Sequence, residues 1–309
     1  MPARRKKLLS RQKKRNKVLP IVLVCALVFV LFLVLKLFVF RTKFWSNDSK
    51  LILAINREDG SVLITSFDPR LQEIANIYIP KNTEVEVSRQ LGIWKLGSVW
   101  QLGANEKIDG KLLTGTLRHY FKFPVVAWAD SEAEGFSEGN LGKVARALFN
   151  PYKTNLTFGD KLSLAAFSLR VNNTKRTGID LAETTYLIRT NLKDGSEGYR
   201  VTRSFSQRLL SIFADDVISQ NSYKIAIIDA SGEANTADDV GELMQVLGAK
   251  VASVTNDGED GDINCFVRGN DKVVVDRVAD LLSCDDWEFG KSGSFDLEIK
   301  LGTSFIKNF

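Results

Sequence analysis

His119 is the only histidine in the chain, and the cysteines are Cys25, Cys265 and Cys284. A Ser-His-Asp triad would have to use His119, which lies in a largely apolar stretch where packing is the simpler role. One histidine with no cysteine cluster argues against a structural zinc site of the Cys/His type. The acidic groups Asp238-Asp239, Asp257-Gly258-Glu259-Asp260 and Asp285-Asp286 offer oxygen ligands for Ca²⁺ but lack the EF-hand spacing. They read as helix-start charges and solvated turns. Gly92, Gly97 and Gly103 match neither GxGxxG nor GxxxxGK(S/T), so no phosphate-binding fingerprint is present. Trp94 and Trp100 could line a lipid or sugar groove, with a core role as the plainer alternative. Cys265 and Cys284 could form a disulfide in an oxidising compartment or stay as two buried thiols; the sequence gives no distance to choose between them.

The elements that position these residues begin with an anchor. Nine Lys or Arg residues crowd residues 1–17 with no acidic residue among them, and residues 18–40 are then apolar except for Pro20 and Lys36. At a rise of ~1.5 Å per residue, a helix of that length crosses a ~30 Å hydrocarbon core. No small-residue cleavage site follows, only bulky Leu37, Phe38 and Phe40, so the segment reads as an uncleaved signal anchor. The positive-inside rule places the tail in the cytoplasm and residues from 41 onward outside a cell membrane crossed once. The net charge of +5 belongs to this tail. Subtracting the ten basic residues of the first forty from 42 Lys and Arg leaves 32, against 37 acidic residues. A remainder of that sign speaks against a nucleic-acid partner.

Beyond a polar stem, two apolar runs, Leu51 to Asn56 and Ser61 to Phe67, flank the turn signal Asp59-Gly60. Strands are predicted at Ala75 to Ile79, Val85 to Val87 and Pro124 to Trp128. Helices are predicted over 110–121, 141–149 and Phe158 to Leu169, with loops over 130–142 and a polar stretch over 172–178. The alternation implies an α/β (or α+β) domain over residues 50–215. Residues 222–303 read as β-α-β-β-α-β, a small ferredoxin-like split arrangement. Its first helix carries Val240, Leu243, Met244 and Leu247 on one face, with Thr236 as the expected cap.

An N-terminal anchor, an exported α/β domain and a small terminal βαββαβ domain together resemble the LytR-CpsA-Psr envelope proteins of bacteria. The stretch KIAIIDASGEANTADDVGELMQVLGAKV and the late strand DLEIKLG resemble that family's C-terminal domain over residues 222–303. Residues 50–215 resemble a diverged version of its main domain. The family motif S-I-P-R-D-T here reads Tyr78-Ile79-Pro80-Lys81-Asn82-Thr83, and the helix ending in its R-x-R reads Arg170-Val171-Asn172. The resemblance implies transfer of a glycopolymer phosphate from a polyprenyl pyrophosphate lipid to the wall, with a divalent cation such as Mg²⁺ or Mn²⁺. It places ligand-binding roles on Asp59, Lys81, Asn82 and Arg170. The departures bear on that chemistry: lysine keeps charge but loses the bidentate fork, and asparagine carries no negative charge for a hard cation. The leading expectation is therefore a degenerate binding or assembly factor in wall glycopolymer attachment. An active divergent phosphotransferase and a non-catalytic scaffold are the alternatives.

Overall fold

The computed structural model describes residues 24, 41–258, 263–284, 286–290, 293–307 and 309. Apart from Val24, the apolar span 18–40 lies outside them, as does the basic tail. Among the described residues, no helix is long and apolar enough to cross a membrane.

Three strands form an antiparallel meander: β1 (Leu51–Asn56), β2 (Val62–Asp68) and β3 (Glu73–Ile79). Asn56 pairs with Val62 at one end and Leu51 with Phe67 at the other. β6 (Ala127–Ala129) joins β1 in parallel, and β7 (Arg176–Asp180) joins β3 in parallel, giving the order β6-β1-β2-β3-β7. Between them run β4 (Glu84–Glu86), β5 (Ile93–Lys95), α1 (Leu96–Asn105) and α2 (Lys111–His119). After β6 come α3 (Glu134–Glu138), α4 (Leu141–Phe149) and α5 (Phe158–Arg170), and after β7 the hairpin of β8 (Leu187–Asn191) and β9 (Glu197–Val201).

Alternation along each strand sends successive side chains to opposite faces. Leu51, Leu53 and Ile55 pack with Phe136, Val144 and Leu164 from α3, α4 and α5. Ile52, Ala54 and Ile64 pack with Val99, Leu113 and Phe121 from the α1–α2 side. With helices on both faces, β2 is buried along its whole length, which explains its near-continuous apolar sequence. Asp160 joins the stem to this layer. It closes a capping box with Thr157 on α5 and accepts the Lys43, Phe44 and Trp45 amides at 3.0, 3.0 and 2.9 Å.

Two short helices, α6 (Gln207–Phe213) and α7 (Asp216–Gln220), lead to the second sheet. It comprises β10 (Lys224–Ala230), β11 (Lys250–Asn256), β12 (Cys265–Gly269), β13 (Asp286–Phe289) and β14 (Leu297–Gly302), in the order β11-β10-β14-β12-β13. A ferredoxin-like split is not what forms. β10 and β11 pair directly and in parallel around α8 (Thr236–Val246), and β12 and β13 do the same around α9 (Lys272–Leu282). β14 then enters between the two βαβ units, parallel to β10 and antiparallel to β12. The split topology requires a strand between the two parallel partners, and none intervenes here. The cap of α8 also differs from expectation. Asn235 stands at the N-cap at φ 69°, Thr236 donates to the Glu233 carbonyl, and buried Asp229 accepts the Ala237 amide at 3.3 Å. Cys265 and Cys284 are joined by a disulfide with their Cα atoms 4.8 Å apart. The chain ends with α10 (Thr303–Ile306) and Phe309.

The two sheets meet through ionic and polar contacts. Lys122, 0% exposed, donates to the His119 carbonyl at 2.5 Å and to the Asp239 carboxylate of α8. His119 Nδ1 lies 3.6 Å from that carboxylate, and its ring meets Phe309 edge-on. Arg277 of α9 pairs with Asp215 at 2.7 Å.

Candidate functional site

The turn joining β1 to β2 is closed by Arg57 N–H to Ser61 O at 3.0 Å and Gly60 N–H to Arg57 O at 2.9 Å, with Gly60 at φ 81°. Asp59 Oδ1 accepts both the Ser61 amide at 3.0 Å and the Ser61 hydroxyl at 2.6 Å. These two bonds hold its pKa below the usual carboxylate value, with the Arg57 and Lys81 charges adding to the effect. Asp59 and Lys81 are thus neighbours, at the end of the sheet where the β1–β2 turn meets the exit of β3. Lys81 is exposed, while its backbone is gripped: its carbonyl accepts the Gly97 amide at 2.9 Å. A Cβ at Gly97 would stand 2.9 Å from the Lys81 Cβ and 3.1 Å from the Gly60 carbonyl oxygen, so α1 can begin there only with glycine. That grip also uses the first amides of α1, Leu96 donating to Thr83 O and Gly97 to Lys81 O, which removes them as anion donors.

Asn82 is adjacent but committed elsewhere. Its Nδ2 donates to the Glu197 carbonyl at 3.1 Å, and its own carbonyl accepts the Tyr199 amide at 3.2 Å, tying the segment to β9. Arg170 lies at the other end of the sheet. It lines a 340 Å³ groove with Trp45, Pro69 and Gln72, the last two belonging to the β2–β3 turn. A strand of β2's length at ~3.3 Å per residue separates the two turns by about 20 Å. The structure therefore brings Asp59 and Lys81 together, turns Asn82 toward β9, and keeps Arg170 apart.

Residues that sequence reasoning passed over complete the Asp59 end. Arg57 donates from Nε to Glu134 at 3.4 Å, and its guanidinium lies 5.6 Å from the centre of the Tyr78 ring. Burial opposes the Arg57 charge, but the Glu134 carboxylate outweighs it and holds the pKa above its ordinary value. Desolvation in turn raises that of Tyr78. Lys143 pairs with Glu138 at 2.7 Å. The cleft enclosed is 480 Å³, and its walls carry the carboxylates of Glu58, Asp59, Glu132, Glu134 and Glu138 against the cations of Arg57, Lys143 and Arg146. The only sequence signal for this was the dense charge of Arg57-Glu58-Asp59, which reads equally well as a solvated turn.

Such walls are net acidic, and their cations are largely paired. Among the described residues, no three His, Cys, Asp or Glu side chains are placed to hold a metal ion. Asp59 Oδ1 is committed to Ser61 and Asn82 Nδ2 to Glu197, so these two side chains do not converge on one point. Alternating carboxylate acceptors and ammonium or guanidinium donors suit a neutral, hydroxyl-rich ligand better than a polyanion.

No protein-family model matches the sequence, and no curated protein matches it. Solved structures to which the chain is similar include B. subtilis TagT, at 10% identity over 52% of this chain and 88% of that one, with a TM-score of 0.38. B. subtilis TagV aligns at 8% identity over 67% of this chain and 100% of that one, TM-score 0.39. B. subtilis TagU aligns at 10% identity over 66% and 99%, TM-score 0.34. Likeness at this level carries no functional inference.

Proposed function

We propose that the chain is a membrane-anchored bacterial envelope protein of LytR-CpsA-Psr type, acting in wall glycopolymer attachment by binding a glycan. The carrying observation is the 480 Å³ cleft beside Asp59 and Lys81, where five carboxylates face three cations. A pyrophosphate entering it would meet like charge on most sides, with Lys81 as the nearby exposed cation and Arg170 at the far end of the sheet. A glycan would find acceptors in Asp59 and Glu132 and donors in Arg146 and Lys143. The anchor follows from the nine basic residues ahead of an apolar stretch of membrane length.

The test is calorimetry on the full chain in detergent, titrated with wall glycan fragments and, separately, with a polyprenyl pyrophosphate analogue in excess Mg²⁺ or Mn²⁺. Glycan binding that weakens about tenfold in Glu132→Gln or Arg146→Ala, a loss of ~1.4 kcal/mol, is the expected result. Turnover of a glycan-loaded polyprenyl pyrophosphate, lost in Lys81→Ala, would establish the divergent phosphotransferase instead. Absence of binding to either ligand would leave a scaffold.

A further inference from the structure

The junction between the two sheets holds a second group of cations, contributed by segments far apart in sequence. A groove of 390 Å³ is lined by Lys43 of the stem, Arg89 between β4 and β5, and Lys111 and Arg118 from the two ends of α2. Asp280 is the one acidic residue among its described walls. This groove is separate from the Asp59 cleft, and nothing below depends on the glycan reading.

Arg118 is only 8% exposed. Its Nε donates to the Thr114 carbonyl at 3.3 Å, and its Nη1 donates across the junction to the Leu281 carbonyl and, at 3.4 Å, to Ser283 Oγ. No carboxylate forms an ion pair with it among the described residues. Burial, with the Arg89 charge adding, lowers its pKa to about 10. Two carbonyls and a hydroxyl meet this buried charge in place of a carboxylate, which leaves it open to an anion.

Trp128 supplies an independent observation. It lines the same groove and is 8% exposed, and its indole Nε1 is buried without an acceptor among the described residues. Buried indole N–H groups normally find one. The indole N–H is a donor and Arg118 a cation with no carboxylate beside it, so an anionic acceptor in the groove suits both.

We propose that this groove binds a phosphate-bearing anion, held by the Arg118 guanidinium and the Lys111 ammonium with the Trp128 indole N–H as a further donor. Planar guanidinium donors match phosphate oxygens bidentately, and lysine adds charge without directional demand. The volume is in the range of small-ligand sites, roughly 300–1,000 Å³, which suits a headgroup or a small phosphorylated solute. Lys43 and Phe44 bring the rim to within a few residues of the apolar span, so a lipid headgroup and a soluble phosphate both have access.

The experiment uses the full chain in phosphatidylcholine nanodiscs, titrated calorimetrically with inorganic pyrophosphate in a Lys81→Ala background that silences the Asp59 end. One saturable site is expected. Its affinity falls about tenfold in Lys111→Glu and about threefold in Trp128→Phe, the sizes of one lost charge-assisted contact and one lost neutral one. Lys111 is exposed and makes none of the cross-junction bonds, so its variant keeps the fold, which an unchanged melting temperature confirms. Nanodiscs containing phosphatidylglycerol identify the occupant. Loss of pyrophosphate binding there assigns the groove to a lipid headgroup, and undiminished binding assigns it to a soluble phosphate. Absence of a saturable site in phosphatidylcholine, or binding that neither variant alters, overturns the proposal.

Discussion

Replacing Asp239 by asparagine tests whether the two sheets are held together by a buried charge pair. Lys122 is 0% exposed, whereas the Asp239 side chain keeps 19% of its surface in contact with water. Removing the carboxylate strands a buried ammonium, and breaking buried pairs in this way costs about 3–5 kcal/mol. The low end applies, because an asparagine oxygen can still accept from Lys122 and the His119 carbonyl remains at 2.5 Å. A loss of about 3 kcal/mol corresponds to a melting temperature lower by about 6–12 °C in a chain of this size. Lys122→Met should be much milder, about 1 kcal/mol, since it buries an apolar stem and leaves Asp239 partly solvated. The double variant should match Lys122→Met alone, because no charge remains to strand, giving a coupling energy of about 3 kcal/mol. Thermal and urea unfolding of the four proteins in one detergent measures all of this. Asp239→Asn melting within about 2 °C of the parent, or losses that simply add in the double variant, would refute the argument.

Three further expectations follow from the same junction and its surroundings. Burial lowers the His119 pKa below 6.5, against the raising effect of Asp239, with Lys122 and Arg203 lowering it and Glu86 raising it. The unfolded chain therefore takes up this proton first as pH falls, so stability present at pH 7 is lost as pH drops below about 6.5. Melting curves from pH 7.5 to 5 should show a shallower decline in His119→Asn. Reduction of Cys265–Cys284, which spans a sequence separation of 19, should cost about 3 kcal/mol, read as a lower urea midpoint in reductant. Protease added to intact spheroplasts should degrade residues beyond 41, and a protected C-terminus would reverse the proposed topology.

The parts of the fold that announce themselves in sequence are those fixed by neighbours in the chain. Asp59-Gly60 marks the β1–β2 turn, and Asn140, Thr157 and Asp271 each cap the helix that follows them. What stayed hidden depends on distant contacts. Gly97 and Gly103 look like helix breakers, yet both lie in α1; a Cβ at Gly103 would come within 2.2 Å of the Asp109 carbonyl oxygen. β7 exists because β3 offers an open edge a hundred residues earlier, and nothing in RTGID alone declares a strand. Strand order in the second sheet is likewise absent from local periodicity, which does not distinguish direct βαβ pairing from the split form. At the candidate site, the adjacency of Asp59 and Lys81 follows from two consecutive turns, whereas Glu134 reaches Arg57 only after α3 folds back over β1. Arg170 stands beside the β2–β3 turn, a position that a helix ending does not reveal, since it does not say which end of the sheet the helix reaches. Lys122 gave no signal, since a lone lysine after a helix normally points to water.

Arg118 has one more consequence. The Leu281 carbonyl it binds is among the last of α9, a group that no later turn of its own helix can satisfy. A cation from α2 therefore finishes a helix belonging to the other sheet, much as a local C-terminal lysine or arginine would. The terminal βαβ units are a distinct body in sequence but borrow a cap from outside it, so the chain's domain boundary is not an energetic one. Excised alone, that body would fray at the end of α9, next to Cys284. Within the whole chain, loosening the junction at Arg118 and loosening the end of that helix become one event.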